Sequence, residues 1–273
     1  MNDNEELPSP VDTGRFAVFG GIYNNHLSLQ ATLDDARRRG AEALFCLGDM
    51  GGFGPHPDRV FGPLRDSDDI FVMQGNYDHS VGNRLDDCAC GYTDPRDNKF
   101  AQISYDYTLR NTSDVHKDWM RDLPTEFRCQ WAEQSVLMAH GSPRRVNEFL
   151  WESTCSDAFL GYLLAEHDAE VLFVTHTGIP WQRRLERGGL VVNVGAIGRP
   201  ANNGRTSVDY AMVDVGPGGI DVSFVEVDYD YQTLARQMRA EELPEEFVET
   251  ITTGWWTTCL EILPALERSR GEF

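Results

Sequence analysis

The chain has 273 residues, 41% of them apolar, enough to bury a sizeable core within one domain. Acidic residues outnumber basic ones 44 to 24, for a formal charge of −20, which excludes a polyanion-binding surface and with it stable nucleic-acid binding. No apolar run approaches the ~20 residues of a membrane helix, and the opening MNDNEELPSPVDTGR lacks the pattern of a signal peptide, so a cytoplasmic protein with no membrane partner is expected.

In chain order, residues 1–14 read as a disordered or extended tail, and RFAVFGGI at 15–22 as a buried strand. Leu27, Leu29, Ala31, Leu33 and Ala36 mark a helix over 25–40, with Gly40 as its C-cap. ALFCLG (43–48) and DIFVMQG (69–75) are further strands, giving the βαβ rhythm of a layered sheet with covering helices. Residues 82–98 read as an inserted irregular loop and 99–122 as one or two helices. FRCQWAEQSVLMAH (127–140) is a hairpin ending on His140; helical material at 155–167 leads to a strand at 170–174 near His176. GLVVNVG, DYAMVDV and GIDVSFVEVDY follow as strands, and the tail from about 230 is helical, with Trp255 and Trp256 free to pack on the body or on a neighbour. No linker divides the chain, so residues 15–273 read as a single domain.

Six cysteines are scattered without the density of a secreted disulfide framework. Cys46 sits in an apolar run and reads as core. Cys88-Ala-Cys90 is the only suggestive spacing; with no second Cys or His pair nearby, a structural or chance origin outweighs metal ligation.

Ligand-capable residues recur just after the apolar runs: Asp49, Asn76, His140 and His176. In open α/β sheets, ligands gather beyond the carboxyl ends of strands. One such residue would be an ordinary cap or turn former, whereas four of them suggest a shared site. Two imidazoles, a carboxylate and an amide oxygen suit Mn, Fe, Zn or Ni better than Ca or Mg.

LGDMGGFGP (47–55), GNYD (75–78), AHGSP (139–143), THTGIP (175–180) and NVGAIGRP (193–200) resemble the ordered motifs of calcineurin-like metallophosphoesterases, nearest the small prokaryotic phosphodiesterase branch. The resemblance spans roughly residues 15–228 and implies a four-layer α/β sandwich of two mixed β-sheets flanked by helices. It also implies a dinuclear centre bridged by Asp49, with one metal completed by Asn76, His140 and His176. The second metal's private ligands are lost: Gly21, Tyr23 and Gly178 stand where an Asp and two His belong. Tyr77 replaces a His placed near the leaving group, and Asp78, which orients that His in the family, loses its partner. His26 and Asn24 are the nearby alternatives for a missing ligand, although a His at a helix start is more commonly solvated or capping.

The expected cofactor is therefore one divalent transition metal, with the second absent. The catalytic candidates are Asp49, Asn76, Tyr77 and Asp78. Asn25, Arg199 and Arg205 are candidates for holding the phosphate; Arg144 and Arg145 also fall near the expected cleft, and any of these Arg can equally be structural. A phosphoesterase acting on a small phosphodiester, phosphomonoester or nucleotide follows. The alternative is a weak or inactive relative that binds a nucleotide, phosphate or protein partner in the same cleft, as a vesicle-coat subunit of this fold does.

Overall fold

The computed structural model describes residues 7–269. Strand β1 (Gly14–Phe19) leads into helix α1 (His26–Arg38), which Asn25 caps by accepting the Ser28 N–H at 3.0 Å. β2 (Ala43–Cys46) and β3 (Ile70–Val72) extend β1 as parallel neighbours. Their near-continuous apolar runs are what parallel strands covered on both faces require. β9 (Val208–Gly216) and β10 (Gly219–Val227) return as an antiparallel hairpin, completing a sheet in the order β10-β9-β1-β2-β3. The second sheet runs β4-β5-β6-β8-β7, built from β4 (Glu126–Trp131), β5 (Gln134–Ala139), β6 (Val171–Val174), β7 (Trp181–Arg184) and β8 (Leu190–Asn193).

Alternation along the strands divides the core into layers. Phe16, Val18 and Phe45 of the first sheet meet Trp131, Val136 and Phe173 of the second, with Phe16 stacked on Trp131 at 4.6 Å. On the outer face of the first sheet, Ala17, Phe19 and Leu44 pack against Leu29 and Leu33 of α1. Beyond the second, Leu137, Leu172 and Val191 pack against Leu160 and Leu163 of α6 (Asp157–Glu166). This is the expected four-layer arrangement of two mixed sheets flanked by helices.

Several elements differ from the sequence reading. A 3₁₀ turn (Pro57–Val60) and the short α2 (Phe61–Arg65) fill the segment after β2. α3 (Asn76–Gly82) follows β3, and the irregular loop ends at Asp94, which caps α4 (Pro95–Asn111) by accepting the Arg96 N–H at 2.7 Å. α5 (Asp114–Arg121) follows. β7 escapes the apolar-run criterion because an edge strand carrying Gln182, Arg183 and Arg184 is polar by nature. Of the expected tail, residues 1–6 lie outside the described residues; Val11 bridges Trp131 of β4, and Trp131 Nε1 donates to the Pro8 carbonyl at 2.9 Å. The C-terminal part forms α7 (Tyr231–Ala240), α8 (Glu245–Thr253) and α9 (Ala265–Ser269), with an irregular stretch over 254–264. Among the described residues no helix is long and apolar enough to cross a membrane.

Candidate metal centre

The four motif residues leave the carboxyl ends of four strands. Asp49 follows β2, Asn76 opens α3 after β3, His140 directly follows β5, and His176 follows β6. Two sheets therefore each contribute two of them. Donor atoms of Asp49, His140 and His176 all lie within 4.8 Å of one another, and all three residues are buried. His140 Nε2 sits 3.3 Å from Asp49 Oδ2 and 3.2 Å from His176 Nδ1. Its Nδ1 bonds the Leu47 carbonyl at 2.6 Å, which turns Nε2 towards the centre in the manner of a metal-ligating imidazole. Asp49 and His176 both hold left-handed backbone conformations, φ 58° and 66°. That is uncommon outside glycine and is tolerated where a side chain must be aimed.

Asn76 Nδ2 donates to the Cys88 carbonyl at 2.8 Å, whereas its Oδ1 is buried without a hydrogen-bond partner, as is His176 Nε2. Such an oxygen is costly to leave bare, and a cation is the partner that suits it. Asp49, His140 and His176 form a three-residue candidate site for a divalent ion, and the bare Asn76 oxygen is a further donor of the kind such an ion takes.

The backbone around these residues is built for close approach. A Cβ on Gly75 would meet Asp49 Oδ1 and lie 2.6 Å from His140 Cε1, so only glycine lets α3 start here. Asp78 Oδ2 accepts the N–H groups of Asp49 (2.6 Å) and Gly75 (2.7 Å), and its Oδ1 accepts that of Met50 (2.9 Å). This clamp between the β2 and β3 loops is what the sequence reading missed, although an acid at the third position of a helix is a known capping signal. The Tyr77 N–H donates to Asp49 Oδ1 at 3.0 Å, while its hydroxyl lies 2.9 Å from Ser104 Oγ.

Burial raises Asp49, but the charge and hydrogen bond of His140, with help from His176, hold it below the usual carboxylate range. Burial likewise pulls His140 down and is outweighed by Asp49, which keeps the imidazole above its ordinary value. Burial and the charge of His140 push His176 down to about 3. Burial and then the Asp49 charge push Asp78 up to about 6, against the pull of its three N–H donors.

The other half is different. Gly21 and Gly178 offer no donor side chain, and the buried Tyr23 phenol is pushed well above its ordinary value, chiefly by burial. These residues do not fit a second ion. His26 does not join the centre: its Nε2 faces Arg59 at 3.5 Å, and burial and Arg59 push it down to about 4. The Asn24 amide donates to Gly54 O and Thr108 Oγ1, and that of Asn25 to Gly198 O at 3.1 Å. Arg205 pairs with Asp209 (3.2 Å) and Glu226, and Arg144 pairs with Glu148. Arg199 is buried, and the Tyr23, Cys259 and Tyr92 groups raise it against the effect of burial.

Segments outside the motifs close over the centre. Trp256 of the 254–264 stretch packs onto the body, its Nε1 donating to the Pro200 carbonyl at 2.7 Å and its N–H bonded to Asn202 Oδ1 at 2.9 Å. The Phe149 ring lies 4.3 Å from the His176 ring. Cys88 and Cys90 are joined by a disulfide, with Cys90 Sγ 3.5 Å from Asn76 Nδ2. The Tyr92 ring lies 5.8 Å from that of Phe149 and completes the cover. Only the paired tryptophans hint at this in the sequence.

Residues 16–217 match the calcineurin-like phosphoesterase superfamily domain. An uncharacterised protein of Methanocaldococcus jannaschii is 26% identical over 255 residues, covering 87% of this chain and 97% of the relative. A hypothetical protein from Pyrococcus horikoshii superposes with a TM-score of 0.74 at 22% identity, over 89% of this chain and 99% of that one. A metallophosphoesterase from Sphaerobacter thermophilus gives 0.68 at 24% identity, over 89% and 100%. These structures share the two-sheet fold, and the motif order places the donor set at the strand ends. The chain belongs to the calcineurin-like phosphoesterase superfamily.

Proposed function

We propose that this protein is a phosphoesterase that uses one divalent transition-metal ion, Mn, Fe, Zn or Ni, held by Asp49, Asn76, His140 and His176. The substrate class is a small phosphodiester, phosphomonoester or nucleotide. The observation that carries the reading is the convergence of three donor residues within 4.8 Å of one another, taken together with a buried Asn76 oxygen that has no hydrogen-bond partner. A divalent ion supplies Lewis acidity towards water and a phosphoryl oxygen. The chain's own part is to hold the donors. Leu47 fixes the His140 ring through Nδ1, the Tyr77 N–H aims Asp49, and Asp78 locks the two loops that carry Asp49 and Asn76. With its hydroxyl on Ser104, Tyr77 serves this centre through its backbone.

A second reading, a relative that binds a ligand without turnover, is favoured by one feature. The donors are buried, and Trp256 packs over the half that would carry the second ion. Elemental analysis of metal-replete protein, paired with hydrolysis of a generic aryl phosphodiester, separates the two. One ion per chain, lost on His140→Ala together with measurable turnover, is the expected result. One ion with no turnover selects the binding reading, and two tightly bound ions, or none, overturn both.

A further inference from the structure

Two of the three positions that lack second-metal ligands border one group, and the third borders Tyr23. A Cβ on Gly178 would lie 3.4 Å from Arg199 Nη2, and the Tyr23 ring centre is 5.5 Å from the Arg199 guanidinium carbon. A Cβ on Gly21 would lie 3.1 Å from the Tyr23 hydroxyl. The Tyr23 N–H bonds the Asp49 carbonyl at 3.1 Å, so the residue whose ring faces the guanidinium adjoins a retained donor. Arg199 is 5% exposed, its Nε is buried without a hydrogen-bond partner, and among the described residues no carboxylate makes an ion pair with it. It is held instead by aromatic faces, Trp256 at 3.6 Å and Phe53 at 4.8 Å, which suit a guanidinium better than they suit an ammonium.

A buried cation without a counter-charge is expensive unless the site wants positive charge there. A divalent ion with one private carboxylate ligand carries a single net positive charge, and so does a guanidinium with none. Glycine in place of an imidazole at 178 leaves volume that Trp256 and Arg199 border, while Tyr23 and Ala196 lie against Gly21.

We propose that the Arg199 guanidinium takes the second metal's place, as a fixed cation that faces an anionic phosphoryl group from the side opposite the single retained ion. This rests on the one-ion reading above. Arg199 then repels the retained ion and attracts the phosphate, so neutralising it must shift the two affinities in opposite directions. A role confined to packing predicts no such split.

The test is calorimetric titration of the full chain with MnCl₂, and of the Mn-loaded protein with inorganic phosphate. Arg199→Gln should bind Mn²⁺ about tenfold more tightly and phosphate about tenfold more weakly than the parent, with Arg199→Lys close to the parent in Mn²⁺ affinity. Equal, absent or same-direction shifts in Arg199→Gln overturn the inference, as does a Lys variant that behaves like the Gln variant or a Mn-loaded parent that binds no phosphate. A destabilised Arg199→Gln leaves the Lys comparison, in which charge is kept and stacking is weakened, to decide. A parent that binds no Mn²⁺ removes the one-ion reading itself, an outcome distinct from one bound ion with the wrong pattern of shifts.

Discussion

The two carboxylates nearest the centre have different tasks, and the difference lies in what each accepts. Asp49 faces His140 and His176, whereas Asp78 takes three backbone N–H groups from Asp49, Met50 and Gly75. Asp78→Asn would set an amide NH₂ against one of those N–H groups in a buried place. It should cost about 1–3 kcal/mol of stability, read as a lower denaturation midpoint, and should weaken Mn²⁺ binding because Asp49 is no longer held. Unchanged ion affinity in a folded Asp78→Asn protein would show that the clamp serves stability alone. Asp49, Asn76, His140 and His176 are legible in the sequence because each follows an apolar strand within an ordered motif. The Leu47 carbonyl is not, because a backbone acceptor leaves no mark on residue type, and the Asp78 clamp shows only as an acid at the third position of a helix.

Among the elements, those with continuous apolar runs are legible, and those whose form depends on context are not. β1, β2, β6 and β8 follow from sequence, being strands covered on both faces. β7 and α2 do not: one is a polar edge, and the other is shaped by Pro57 and Pro63. α4 begins four residues before its expected start because Asp94-Pro95, a turn signal in isolation, is also a cap followed by a first-turn proline. The β4–β5 hairpin turns on Ala132 and Glu133, both left-handed at φ 48° and 63°. Asn-Gly suits that geometry better, so Ala132→Asn with Glu133→Gly should raise stability by about 1 kcal/mol, measured by urea unfolding. A neutral or lower midpoint would mean that packing of these side chains outweighs the backbone gain.

At the scale of the whole molecule, charge and closure matter most. A formal charge of −20 carries self-repulsion that salt relieves. Raising ionic strength to about 0.15 M, where the screening length falls to about 8 Å, should raise the melting temperature, and a flat or falling profile would show that ion pairs such as Arg37–Asp69 dominate instead. The closure of the centre by Tyr92 and the 254–264 stretch is legible in sequence only as the paired tryptophans. It joins segments more than 150 positions apart, and neither belongs to a motif. The division of donors between the sheets has a further consequence for how the molecule comes to be. The first sheet brings Asp49 and Asn76, the second His140 and His176. During synthesis the first pair emerges from the ribosome well before the second. β9 and β10, which complete the first sheet, follow both histidines in the chain, so on the one-ion reading the four donors meet only when the two sheets dock.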